Sequence, residues 1–76
     1  MDERLRHVLA VVLEMPEAQI DEQLTAEQTS NWDSMRHLNL IMALEDAFGV
    51  TFASEELGEL TSYRAIAEAL ARRGAA

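Results

Sequence analysis

From Glu3 to Met15 the apolar residues Leu5, Val8, Leu9, Val12 and Leu13 recur at helical spacing, and Pro16 stops the pattern. The stretch Glu17 to Asn31 loses that periodicity. It is polar, with isolated Ile20 and Leu24 placed to pin a long loop to a core. Periodicity returns from Ser34 to Phe48, where Met35, Leu38, Leu40, Ile41, Met42, Leu44 and Phe48 form a wide apolar face. Such a face suits a helix with several neighbours. Asp33 is a good N-cap for that helix, and Gly49 fits just past its end.

Val50-Thr51-Phe52 reads as a short extended link. Ser54 then precedes Glu55-Glu56-Leu57, where acidic residues favour a first helical turn, and Gly58 limits the helix to a short piece. Thr61-Ser62 caps a last helix whose Tyr63, Ile66, Ala67 and Leu70 share one side until Gly74. No internal repeat is visible, and the segments differ too much in length for a solenoid. The pattern predicts an all-α bundle of three longer helices and one short one, with a core on the shared face of Leu5, Leu9, Leu38, Leu44, Ile66 and Leu70.

Composition narrows what such a bundle does. With 76 residues the chain supports one modest core, read as a single domain over residues 1–76. Hydrophobic residues make up 49% and aromatics only 5%, so Leu, Val, Ile, Met and Ala must build the interior. There is no cysteine, which removes a disulfide framework and a cysteine-based zinc site. The formal charge of −8 opposes contact with nucleic-acid phosphates and anionic membranes. The apolar run Val8 to Leu13 is too short to span a bilayer and precedes no secretory cleavage pattern, so a cytoplasmic protein without membrane insertion is expected.

The chemistry concentrates at Asp33-Ser34. A serine at the mouth of a helix faces solvent among free backbone N–H groups that favour an anion, and a phosphate ester there would be stabilised. The alternative is a capping pair with no further role. His37 lies one turn on, which raises the possibility of a base and nucleophile oriented by Asp33, but no oxyanion hole or substrate pocket is evident for a hydrolase. The segment "DEQLTAEQTSNW" lacks the central Gly and alternating oxygen ligands of a calcium loop. His7 and His37 sit in different helices without cysteine nearby, too thin a basis for zinc.

The order of these features resembles the acyl carrier protein family, whose members carry Asp-Ser-Leu at the start of their second helix. Here the motif reads Asp33-Ser34-Met35. The match runs on through "LIMALEDAFGVTF" (Leu40 to Phe52), similar to the family's "LVMALEEEF", and through the Thr61-Ser62 start of the last helix, covering Leu5 to Leu70. The resemblance implies a four-helix carrier that does no chemistry itself. It implies that Ser34 is esterified with 4′-phosphopantetheine by a transferase using coenzyme A, and that the arm's thiol, absent from the polypeptide, carries acyl groups as thioesters.

Asp33 would cap the helix and help dock the transferase. Met35 replaces the usual Leu with a side chain of similar volume. Trp32 either anchors its loop or contacts the arm. Trp32, Arg36, His37, Asn39, Glu45 and Asp46 are the expected docking residues, with His37 read as a surface side chain. Where members carry acidic residues soon after the serine, this chain has Arg36, His37 and Asn39, which implies dedicated partners. The implied partners of a monomeric carrier are a phosphopantetheinyl transferase, an acyl-loading ligase or acyltransferase, and downstream synthase enzymes of a fatty-acid-like, polyketide or other specialised pathway. The rival reading is a non-catalytic acidic adaptor that binds a basic protein.

Overall fold

The computed structural model describes residues 2–75. Three α-helices, α1 (Glu3–Leu13), α2 (Ser34–Phe48) and α3 (Tyr63–Arg72), are joined by a long connection containing a 3₁₀ turn at Glu17–Gln19 and by a short 3₁₀ helix at Ser54–Glu59. The predicted all-α class is therefore observed, with three longer helices and a short one.

Side chains begin each long helix. Asp2 accepts from the Arg4 and Leu5 N–H groups, Asp33 from Arg36 N–H, and Ser62 from Ala65 N–H. The ends share one motif. The residues Glu14, Gly49 and Gly74 turn left-handed at φ 55°, 66° and 71°. The next N–H in each case then bonds back across the last turn, Met15 to Ala10 O, Val50 to Glu45 O and Ala75 to Leu70 O. At α1 the left-handed turn falls on Glu14, so the helix stops at Leu13 rather than running to the expected Met15.

The core gathers Leu5, Leu9 and Leu13 from α1, Leu40, Ile41 and Leu44 from α2, and Tyr63, Ile66, Ala69 and Leu70 from α3. Ile20 and Leu24 of the long connection are buried, as their isolation in a polar stretch predicts, and Trp32, Phe52 and Leu60 complete the interior. Leu38 does not belong to it. At 3.6 residues per turn it lies roughly 160° around the helix from Leu40, and it is 57% exposed, together with Met35 and Met42 on the same outer stripe. The apolar face of α2 is two faces, one inward and one outward.

The long connection is strapped to α3. Ala26 N–H donates to Thr61 O at 2.8 Å and Tyr63 N–H to Leu24 O at 2.9 Å, around an antiparallel pairing of Thr25 with Ser62. No described helix is long and apolar enough to cross a membrane.

Candidate functional site

Ser34 is the first residue of α2 and is exposed. The capping work is done by its neighbour, since Asp33 Oδ1 accepts the Arg36 N–H at 2.9 Å. The first intrahelical bond of the turn runs from His37 N–H to Asp33 O at 2.9 Å. The Ser34 hydroxyl is thus outside the capping bonds. The earliest N–H groups of a 15-residue helix face outward beside it, where the helix dipole favours negative charge.

A shallow groove of about 380 Å³ opens beside the hydroxyl, lined by Ala26, Trp32, Asp33, Ser34, His37, Leu38 and Thr61. Four sequence-predicted residues, Trp32, Asp33, Ser34 and His37, therefore meet in one place. Ala26 and Thr61 escaped the sequence reading because only the strap between the long connection and α3 brings them there. Met35 projects outward at 74% exposure, next to the serine but away from the core.

The other predicted residues divide. Asn39 and Asp46 are exposed on α2. Arg36 is turned toward α1, with its guanidinium donating to Val12 O at 2.9 Å and lying 3.2 Å from the Glu14 carboxylate. Glu45 is half-buried and accepts the Phe52 N–H at 2.9 Å, which ties down the link after α2. His37 is not the free surface side chain expected. It is half-buried, about 60° around the helix from Leu40 at 3.6 residues per turn, and both its ring nitrogens are engaged, by Trp32 Nε1 at 3.0 Å and Leu57 O at 2.6 Å. Trp32 is buried at 6% exposure, so it does anchor its loop.

Among the described residues no cluster of three or more His, Cys, Asp or Glu side chains is arranged to hold a metal ion. Glu56 and Tyr63, which do not line the groove, are displaced from their ordinary range. Hydrogen bonds from the Ala53 N–H and from Arg73 hold Glu56 below the usual carboxylate range. Burial pushes the Tyr63 phenol up.

The start of α2 thus combines an exposed serine hydroxyl at the dipole-positive end of a helix with capping delegated to the residue before it, in an all-helical bundle. The chain belongs to the family defined by the phosphopantetheine attachment site, whose model matches residues 3–70. Its prosthetic group is therefore 4′-phosphopantetheine, covalently attached. The site fits such a group. A phosphodiester at the first residue of α2 would meet outward-facing N–H groups, with Asp33 the one carboxylate lining the groove and already engaged in capping.

Proposed function

We propose that residues 1–76 act as one acyl carrier domain with Ser34 as its attachment residue. The observation that carries this reading is the division of labour at the start of α2, where Asp33 caps and Ser34 presents an exposed hydroxyl. The attached arm would supply a terminal thiol for holding acyl cargo as a thioester, a function that the cysteine-free chain lacks. The chain's own residues hold and present. Asp33 fixes the first turn, the free N–H groups of α2 favour the phosphodiester, and Met35 offers an exposed apolar contact beside the attachment point.

The domain itself catalyses no reaction on this reading. His37 has both nitrogens engaged, so it has no lone pair with which to draw the proton from Ser34. The partners are a phosphopantetheinyl transferase, an acyl-loading ligase or acyltransferase, and synthase enzymes of a fatty-acid-like, polyketide or other specialised pathway in the cytoplasm. They would read the outward face of α2 at Met35, Leu38, Asn39, Met42 and Asp46. Arg36 and Glu45 would act chiefly by holding that face in place.

Incubation with coenzyme A and a broad-specificity transferase, followed by intact-mass measurement, tests the assignment. The parent gains the mass of one phosphopantetheine. Ser34→Ala melts like the parent and gains nothing, and a modified Ser34→Ala variant would remove Ser34 as the site. An adaptor with no prosthetic group would stay unmodified with several transferases.

A further inference from the structure

Ser34 sits between two bonded side chains. Trp32, two residues before it, donates its indole N–H to Nδ1 of His37, three residues after it, at 3.0 Å. On its other side His37 Nε2 lies 2.6 Å from the carbonyl oxygen of Leu57 in the short 3₁₀ helix. An indole N–H only donates and a carbonyl only accepts, so the imidazole must be neutral with its proton on Nε2.

We propose that His37 is a positioning residue for Ser34: as this neutral tautomer it ties Trp32 and the short 3₁₀ helix to the first turn of α2, and so fixes the junction from which the serine is presented to its modifying enzyme. This rests on the reading of Ser34 as the attachment residue. The first turn of a helix has N–H groups without intrahelical partners and frays readily. Closing a bond across it restricts the backbone torsions on both sides of Ser34, and a hydroxyl held in one orientation needs less ordering when an enzyme engages it.

The clasp depends on the protonation of His37. A proton added at Nδ1 turns the acceptor into a donor that faces the indole N–H, so the Trp32 bond is lost as the imidazole becomes charged, while the Leu57 bond can persist. The charged groups on the elements that hold the ring are Asp33, which lines the same groove, and Glu55, Glu56 and Glu59 on the 3₁₀ helix that carries Leu57. Glu56 is already engaged by Arg73. On the ring's own helix Arg36 is turned away to Val12 and Glu14. The residues that line the groove include no Arg.

Trp32 is the only tryptophan in the chain, so its emission reports the clasp directly. In a His7→Gln background His37 is the sole imidazole. Its titration by NMR and the Trp32 emission change should then share a midpoint. His37→Asn places an amide oxygen where Nδ1 stood, keeps an acceptor for the indole and should remove the pH dependence of the emission. His37→Leu and Trp32→Phe each delete the bond and should lower transferase kcat/KM by roughly threefold to tenfold, the range of one net hydrogen bond, with His37→Asn restoring most of it. If His37→Leu fails to fold, Trp32→Phe retains the ring and carries the comparison. Emission that stays flat while His37 titrates, or parent-like kcat/KM in Trp32→Phe, would overturn the proposal alone. A parent that no transferase modifies would overturn the Ser34 reading and the presentation role together, a result distinguishable because the emission titration uses no cofactor.

Discussion

Arg36 donates from its guanidinium to the carbonyl oxygen of Val12 across 2.9 Å, so a residue two positions after Ser34 closes the far end of another helix. All four terminal carbonyls of α1 are satisfied in this way. Ala10 and Val11 accept from Met15 and Glu14 N–H, Val12 from Arg36, and Leu13 from the Asn31 side-chain amide at 2.8 Å. Two of the four donors come from the segment around Ser34, which makes the site and the end of α1 one structural unit.

Arg36→Ala should therefore lower stability by about 1 kcal/mol, the scale of one hydrogen bond from a partly exposed charged group, read as a drop in melting temperature. The sequence suggests testing partner charge with Arg36→Asp and Asn39→Glu together. The first of these also uncaps α1. Asn39→Glu alone, at an exposed position, should leave the melt within about 0.5 kcal/mol of the parent and isolate the charge effect. A salt-dependent gain in kcat/KM for this single variant with a partner of cationic docking surface would assign Asn39 to partner choice, and no change would withdraw it.

Leu44 and Leu38 should respond in opposite ways to truncation. Leu44 is fully buried and Leu38 is 57% exposed. Leu44→Ala should cost roughly 2–5 kcal/mol, a large share of the stability of so small a domain, whereas Leu38→Ala should cost less than about 1 kcal/mol. Denaturant melts of the two variants check this directly, and equal midpoints would contradict the division of α2 into two apolar faces.

Glu56 links the short 3₁₀ helix to the end of α3 through Arg73 and Arg72. Its carboxyl is held below the ordinary carboxylate range, chiefly by the Ala53 N–H and then by Arg73. A depressed folded-state pKa contributes stability that is fully present above the unfolded-state value and is lost as pH falls through the folded-state value. Glu56→Gln should therefore lose stability relative to the parent at neutral pH, with the difference shrinking through the acid range. Melting curves at a series of pH values below neutrality measure it, and a difference independent of pH would leave the ion pair without a role.

Gly49→Ala isolates backbone strain. A side-chain carbon built at this position meets nothing within 4 Å, yet the residue sits at φ +66°. The cost should be about 1 kcal/mol and purely conformational, visible as faster unfolding or a lower melting temperature without any change in the core. A neutral substitution would mean that the turn after α2 relaxes to another conformation.

How far the sequence reaches depends on which interactions are local. The start of α2 was legible because a cap is a contact between neighbours, and Asp33 takes the place that its type predicts. Ile20 and Leu24 were legible because isolated apolar residues in a polar segment have few other uses. Leu38 misled because a helix rich in leucine and methionine matches several faces at once, and only the position of its neighbours selects one. Arg36 and His37 look like surface charge in a linear reading, but their partners, Val12 and Leu57, stand 24 and 20 residues away. The Trp32 to His37 pair spans a helix start, where the usual three- and four-residue spacing of helical neighbours does not apply.

The pairing of Thr25 with Ser62 has a consequence for how the domain opens. Because Ala26 donates to Thr61 and Leu24 accepts from Tyr63, the long connection cannot lift away without uncovering the entrance to α3. The amide protons of Ala26 and Tyr63, distant in sequence, should exchange with solvent deuterium through the same opening event. Their matched exchange rates would mark a cooperative unit that joins an irregular segment to a helix, and a protease should find this connection only as often as that unit opens.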